Sequence, residues 1–313
     1  MRRRVVLGAI VAVGSLSIGV SAFQAPQAPS AAALAATKIE KVKDNLYVIT
    51  GSGVEDFNLF SGGNTAVFLT DSGVVVVDTK LPLWGQAILD RIKTVTSKPI
   101  TTLINTHTHS DHTGSNEFFG TAVESIAHEN TKANMAKMDD FKGDKAKFLT
   151  KTTYTNRLSV GGGQDRIDLY YFGAAHTSGD SFVVFPAIKT LHTGDVFAWK
   201  ALPYIDPANG GSVTAHAQTL AKAVATLQGH GIDTVITGHT PVLAWKELVE
   251  YAAFNRDFVA WGRAQMKAGR TVDQAAAAYR VPARYKGYVA SPNPQVVGAK
   301  TNLEILYGEI KGK

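Results

Sequence analysis

The sequence predicts an α/β protein, because short β-type runs alternate with amphipathic helical patterns along most of its length. Strand-like runs occur at residues 46–50, 65–69 and 74–78, and glycine-rich turns separate them. A helical pattern at residues 83–95 precedes a further strand-like run at residues 101–104. With 313 residues, of which 45% are hydrophobic, the chain can bury a substantial core.

The second half of the chain continues in the same style. Strand-like runs are predicted at residues 167–172, 181–185, 190–193 and 234–237, with a helix at residues 213–227 between the last two. Strands and helices that alternate in this way favour layers of helix over sheet.

The region after residue 241 is predicted to be mainly helical. Helical patterns cover residues 242–268, 271–279 and 301–310, and a proline- and tyrosine-containing loop is predicted at residues 282–294. We therefore expect a single domain at residues 38–313, with a helical C-terminal extension that begins near residue 242 and packs on the rest.

The N-terminal residues have the pattern of an export signal. Three arginines, Arg2 to Arg4, precede an uncharged, mostly apolar run at residues 5–20, and small residues follow at Ser21 and Ala22. We interpret residues 1–22 as a signal peptide, with cleavage as late as residue 35 as an alternative, and residues 23–37 as a linker. The prediction is a periplasmic or secreted protein, and an uncleaved membrane anchor is the other interpretation.

Composition excludes several classes of function. The chain has no cysteine, so disulfides and thiolate metal ligands are excluded. Without the three signal arginines, 29 basic residues face 26 acidic ones, and no dense basic run interleaved with aromatic residues follows. We therefore expect a small-molecule substrate, no nucleic-acid partner and no stable membrane partner after signal cleavage.

The densest group of potential metal ligands follows the strand-like run at residues 101–104. Three imidazoles and one carboxylate fall within six positions, at His107, His109, Asp111 and His112. Neutral imidazole nitrogens and carboxylate oxygens suit zinc and its first-row neighbours, and a loop leaving a strand can direct alternate side chains toward one point. An isolated histidine in a loop is usually solvated, but this spacing indicates a metal site.

The pattern His107-x-His109-x-Asp111-His112 resembles the signature of the metallo-β-lactamase superfamily of hydrolases. Three further residues that match that family's ligand positions follow in the same order, namely His176, Asp195 and His239. The resemblance runs from about residue 39 to residue 241, and it implies an αββα sandwich of two mixed β-sheets flanked by helices.

The same resemblance implies two divalent metal ions and a role for each ligand. His107, His109 and His176 would hold the first ion; Asp111, His112 and His239 would hold the second; Asp195 would bridge them. A hydroxide shared by the ions would attack the substrate, and Asp111 could orient it or relay a proton. Zinc is the expected metal, with iron or manganese as alternatives, since histidine and aspartate hold all three.

Four other residues are candidates for supporting roles at the metal site. Asp78 ends the run of valines at residues 74–77 and could orient a metal ligand by a hydrogen bond, or could cap a turn before Pro82. Trp199, Lys200 and Tyr204 follow Asp195 and could form an apolar wall and an anion contact, or belong to a surface loop. Four more histidines are expected in the core or on the surface rather than at the metal: His128, His192, His216 and His230.

The aspartate at position 195 bears on the branch of the family. Many β-lactamases of the superfamily have cysteine there or lack a bridging acid, so the ligand set looks more like that of glyoxalase II, lactonases and related hydrolases. His109, where the di-iron flavoproteins carry an acid, argues against that branch. The expected function is hydrolysis of an ester, thioester, lactone or related small substrate. The alternatives are β-lactam hydrolysis and a mononuclear iron oxidoreductase similar to sulfur dioxygenases.

Overall fold

The protein folds as a four-layered sandwich in which two β-sheets lie between two layers of helices. The structure is a computed structural model that describes residues 28–51 and 53–312. Nine α-helices lie in the described ranges: α1 Ala31–Ala36, α2 Gly85–Lys93, α3 Ser110–Thr113, α4 Asn116–Phe119, α5 Glu129–Met135, α6 Val213–Leu227, α7 Trp245–Lys267, α8 Val272–Ala278 and α9 Ala299–Ile310. The predicted αββα architecture is confirmed.

The first sheet contains the first seven strands in sequential order. Its first four strands are antiparallel, and strands four to seven are parallel. The strands are β1 Ile39–Lys43, β2 Leu46–Ile49, β3 Thr65–Leu69, β4 Val74–Val77, β5 Ile100–Ile104, β6 Glu124–His128 and β7 Thr152–Tyr154.

The second sheet contains the remaining six strands. They are β8 Arg157–Val160, β9 Ile167–Tyr170, β10 Phe182–Phe185, β11 Thr190–His192, β12 Thr234–Ile236 and β13 Leu243–Ala244. The order is β13-β12-β11-β10-β9-β8, and every pairing is antiparallel except β11 with β12.

Burial on both faces explains why the central strand β4 is entirely apolar. In β4, Val75 and Val77 point into the core between the sheets, whereas Val74 and Val76 pack against α2 on the outer face. A strand covered on both faces reads as a continuous apolar run rather than as an alternating one. The two sheets meet at the centre, where the rings of Phe68 and Phe185 lie 5.0 Å apart.

The C-terminal helices are part of the largest core. Leu220 of α6, Phe254 of α7 and Leu303 of α9 are buried together with Val184 and Leu191 of the second sheet. The predicted C-terminal helices agree with α7, α8 and α9 to within a few residues. The structure adds strands that the sequence patterns did not indicate, namely β1, β6, β7, β8 and β13, the last of which pairs with β12 before α7 begins.

The N-terminal interpretation falls partly outside the described residues. Residues 1–27, which include the predicted signal peptide, are not described. The last part of the predicted linker is packed: α1 lies on α2, and Arg91 donates to Leu34 O at 2.6 Å and to Thr37 O at 2.9 Å. In the described part of the chain, no helix is both long enough and apolar enough to span a membrane.

Candidate metal centre

The histidine-rich loop leaves the carboxyl end of β5 beside the end of β4. Val77 and Ile104 are partners in this parallel pair. Asp78, which follows β4, and the histidine-rich loop, which follows β5, therefore lie side by side at the same edge of the sheet. The Asp78 carboxylate accepts hydrogen bonds from Thr106 N at 2.8 Å and from Thr106 Oγ1 at 2.7 Å. Asp78 therefore fixes the start of the loop.

Two more candidate ligands come from the parallel pair in the second sheet. His192 of β11 and Ile236 of β12 are partners, and the loops after these strands carry Asp195 and His239. Ligand sites form where the carboxyl ends of neighbouring parallel strands expose their loops. The loop that carries His239 approaches Asp195 closely, since a Cβ atom at Gly238 would lie 2.0 Å from Asp195 Oδ1.

One trio of side chains contains His107, His109 and His176, whose donor nitrogens all lie within 4.8 Å of one another. His109 Nδ1 and His176 Nε2 are 2.8 Å apart. The other nitrogen of each ring has a hydrogen-bond partner outside the trio. His109 Nε2 lies 2.8 Å from Asp206 Oδ2, and His176 Nδ1 lies 2.6 Å from Tyr204 O. These contacts direct Nδ1 of one ring and Nε2 of the other toward the same point.

His107 shows that the trio fits a cation. Its Nδ1 lies 3.0 Å from Thr106 Oγ1, whose proton is already donated to Asp78, so Nδ1 is the protonated nitrogen. Its Nε2 is buried and finds no hydrogen-bond partner among the described residues. Burial, with His112 and His176 nearby, lowers the pKa of His107 well below its ordinary value. The ring is therefore neutral, with a free lone pair facing the cluster.

A second trio contains Asp111, His112 and His239, again with donor atoms within 4.8 Å of one another. His239 Nε2 lies 3.3 Å from His112 Nε2 and 3.3 Å from Asp111 Oδ2. His112 Nδ1 lies 2.7 Å from Asp78 Oδ2, which directs His112 Nε2 into the cluster. A Cβ atom at Gly63 would overlap the His112 ring, at 2.0 Å from Cε1.

Asp195 lies between the two trios. Its Oδ1 is 3.1 Å from His112 Nε2, and its Oδ2 is 3.1 Å from His239 Nε2 and 3.8 Å from His176 Nε2. Burial alone would raise the pKa of this carboxyl, but His239 and His112 hold it well below its usual range. The structure thus places an anionic side chain within reach of ligands from both sets.

The cluster opens to solvent on one side. The side chains of His109 and Asp111 are 20% and 18% exposed, whereas those of His112, His176, His239 and Asp195 are at most 7% exposed. A substrate can therefore reach the cluster beside His109 and Asp111.

The comparison with known sequences identifies the family. A sequence profile of the metallo-β-lactamase superfamily matches residues 59–239, a range that contains both trios and Asp195. The chain belongs to the metallo-β-lactamase superfamily. A metallo-β-lactamase type 2 from Elizabethkingia meningoseptica is 29% identical over 221 residues, which cover 67% of this chain and 80% of the relative.

Solved structures show the same superfamily fold. A metallo-β-lactamase from Pontibacter korlensis aligns with a TM-score of 0.60 at 19% identity, over 70% of this chain and 99% of that one. The inverting sec-alkylsulfatase Pisa1 from Pseudomonas sp. aligns with a TM-score of 0.67 at 18% identity, over 87% of this chain and 50% of that one.

The structure brings the seven predicted ligands of this superfamily member together. The three residues predicted to contact the substrate, in contrast, do not all border the cluster. Tyr204 borders the cluster, with its ring 5.9 Å from that of His109. Trp199 lies 5.7 Å from the His239 ring but is only 5% exposed, and its indole N–H donates to Leu202 O. Lys200, predicted as an anion contact, instead forms an ion pair with Glu247.

Asp206 holds His109 in place, a role that the sequence does not predict. One of its oxygens accepts from Ala208 N and Asn209 N as a turn cap, and the other holds His109. In the sequence, the Asp-Pro pair at positions 206 and 207 signals only the turn.

His192 and Asn64 connect the loops that carry Asp195 and His239. His192 Nδ1 accepts from Gly194 N at 3.0 Å, so its Nε2 carries the proton, and Nε2 lies 3.3 Å from Asn64 O. The Asn64 amide donates to Thr237 O at 2.9 Å and to Thr240 O at 2.8 Å. His192 is thus buried and belongs to neither trio, as predicted. Its hydrogen bond with Gly194 N stabilises the loop that leads to Asp195.

Lys80 is a fully buried cation beside the centre. Its amine donates to Gly63 O at 2.8 Å, to Thr50 O at 3.0 Å and to Ser61 Oγ at 3.4 Å. Burial, with a smaller contribution from Arg91, lowers the pKa of Lys80 from 10.5 to about 7. Lys80 holds the loop that contains Gly63 against the ring of His112.

The buried amine predicts a pH dependence of stability. Unfolded chains keep the Lys80 proton up to about pH 10.5, whereas the folded chain releases it above about pH 7, so the unfolded state binds more protons between these values. Relative to Lys80→Met, the wild-type protein should therefore gain about 2 kcal/mol of unfolding free energy between pH 7 and pH 9.

Denaturant unfolding of the metal-free proteins at these two pH values measures the change. Below pH 6 the difference between wild-type and variant proteins should stay constant. A difference that is also constant between pH 7 and pH 9 would contradict the lowered pKa of Lys80.

Proposed function

We propose that the protein is an exported hydrolase that holds two divalent metal ions, zinc foremost, and acts on an ester, thioester, lactone or related small substrate. The observation that carries this proposal is the position of Asp195. Its two oxygens lie within 3.1 Å of His112 Nε2 and His239 Nε2, and one of them lies 3.8 Å from His176 of the other trio. An anion between two ligand sets is the arrangement that a pair of cations requires.

Each residue would have a defined part in the reaction. The trio of His107, His109 and His176 would hold one cation, and the trio of Asp111, His112 and His239 the other. When bound, two such cations lower the pKa of a shared water molecule and polarise the scissile bond. Asp111 is the partly exposed carboxylate of the cluster, so it can orient the attacking water and accept its proton.

The contacts around the trios support this assignment. Asp78, Asp206 and the Tyr204 carbonyl each engage the imidazole nitrogen that faces away from the cluster, at 2.6–2.8 Å. Such contacts fix both the tautomer and the orientation of a ligating ring, and their loss weakens metal binding about 10- to 100-fold in characterised sites.

A substrate screen on the zinc-loaded protein tests the proposal. It should contain esters, thioesters, lactones and phosphodiesters, with sulfate esters and β-lactams included because of the alkylsulfatase and β-lactamase similarities. At least one of the first three classes should be turned over, and chelation should abolish the activity. Exclusive turnover of β-lactams or sulfate esters would contradict the proposed substrate class, and turnover unaffected by chelation would contradict the metal mechanism.

Export is part of the proposal and rests on the sequence of residues 1–22. Cleavage after Ala22 would leave α1 intact, whereas cleavage near Ala35 would remove most of a helix that Arg91 contacts. The mass of the mature chain tests this point: a chain that begins at residue 23 supports it, and an intact Met1 in a membrane fraction contradicts it.

A further inference from the structure

The segment at residues 285–298, here called the C-terminal segment, contacts the loop that follows Asp195. Val289 N donates to Lys200 O at 3.1 Å, and Val289 forms a parallel bridge with Ala201. Lys200 lies over the Tyr288 ring, 5.6 Å from its centroid. The C-terminal segment lies beyond the residues that match the superfamily, 59–239, so these contacts belong to the added part of the chain.

The same segment also contacts a second loop, which lies beside His239 at the entrance to the site and is here called the mouth loop. This mouth loop, residues 53–60, begins near Val54, whose carbonyl accepts a hydrogen bond from Asn293 Nδ2 at 2.9 Å. Val54 and Val297 are buried together with Trp199 in a small apolar cluster of their own. One short segment thus ties together two loops that are about 145 positions apart in sequence and that flank His239.

Aromatic side chains line the side of the mouth that this cluster supports. Phe60 and Tyr204 pack against the cluster, and the Phe60 ring stacks on that of His239 at 5.6 Å. Phe57 meets Phe60 edge to face at 6.1 Å and is 54% exposed. An exposed phenylalanine at the entrance of a polar site offers apolar surface to a ligand.

We propose that the C-terminal segment sets the substrate preference of the centre, because it holds Phe57, Phe60 and Tyr204 as an aromatic wall for an apolar group next to the scissile bond. The proposal rests on the proposed hydrolytic function and names its substrate class: molecules with an aromatic or branched apolar group rather than small polar ones. Asn293 is a positioning residue, since it acts through Val54 and does not line the wall.

The test compares Asn293→Ala with Gln295→Ala, a matched control at an exposed position of the same segment. Hydrogen exchange of the amides at residues 53–60 is followed by mass spectrometry. Binding of phenylacetate and of acetate to the zinc-loaded proteins is measured by titration. Neither readout needs turnover, so an inactive wild-type protein would contradict the proposed function without affecting this test.

In Asn293→Ala, amide exchange in the mouth loop and the Kd for phenylacetate should each rise about fivefold, the size expected from loss of the hydrogen bond to Val54 O. The substitution also removes an exposed hydrogen bond from Gln295 N, which lies within the C-terminal segment itself. The Kd for acetate, the zinc content and all properties of Gln295→Ala should remain those of the wild-type protein. Unchanged exchange at residues 53–60 would overturn the fastening role. Equal weakening of phenylacetate and acetate binding would overturn the aromatic wall as the basis of preference.

Discussion

Replacement of Asp195 by asparagine is expected to lower kcat by about 10³-fold or more, a larger loss than removal of His112 or of His239. Two divalent cations in close proximity repel each other strongly, and the carboxylate of Asp195 lies between the two trios that would hold them. An amide of the same shape carries no charge, so it offsets none of this repulsion, and both metal sites should weaken together. The pH dependence of kcat should also shift, because the charge near the attacking water changes.

A control substitution distinguishes the loss of charge at the metal centre from a general effect of replacing a buried aspartate by asparagine. Asp168→Asn makes the same replacement at a buried carboxylate of β9, where the partners are Arg157 and Arg166 rather than the centre. That variant should retain two metals and near wild-type kcat. An Asp195→Asn protein with two tightly held metals and near wild-type kcat would show that Asp195 does not bridge the ions.

Substitution of His112 or His239 by alanine is expected to lower the metal content from two ions per chain toward one while the fold survives. Both residues belong to the same trio, whereas His107, His109 and His176 stay intact in either variant. Loss of one of the few ligands of a small first-row ion removes most of its binding free energy. Hydrolysis should fall by about 10²-fold or more, since one cation can no longer share the polarisation of water and substrate.

Metal analysis and circular dichroism of these variants measure both parts of the expectation. His230→Ala, at an exposed position outside both trios, should keep two ions and full activity. A His112→Ala or His239→Ala protein that still holds two ions would mean that the second site lies elsewhere.

Local patterns in the sequence predicted most of the elements that support the centre. The run of valines in β4 and the strand before the histidine-rich loop were identified because apolar runs followed by turn residues have few other interpretations. The helical pattern at residues 83–95 was wrong at its start: Leu83 has a φ of +69° and is 51% exposed, and α2 begins at Gly85. A left-handed residue cannot continue a helix, and spacing alone does not reveal it.

The sequence patterns predict no elements between residues 115 and 166, although this stretch contains β6, β7 and β8. The polar content of β6 and β7 explains why. These strands include Glu124, Ser125 and two threonines of β7, so their polar content hides the β pattern. β6 pairs with β5 and β7 pairs with β6, both in parallel, and these pairings depend on contacts across intervening helices, which a local window does not contain.

The seven candidate ligands were predicted through their motifs, but most of the residues that hold them were not. Asp78 is predicted because it ends the run of valines at residues 74–77. Asp206 is 97 positions from His109, and Lys80 and Asn64 act through backbone carbonyls of other loops. Contacts of this kind are fixed by the tertiary structure, so the sequence around each residue carries only a turn or a strand-end signal.

The metal content of the purified full chain tests the central claim most directly. After dialysis against metal-free buffer, elemental analysis by inductively coupled plasma mass spectrometry should find close to two zinc ions per chain. The two trios, with Asp195 between them, predict this ratio. One iron ion per chain, together with oxygen uptake in place of hydrolysis, would contradict the account and favour a mononuclear oxidoreductase on the same fold.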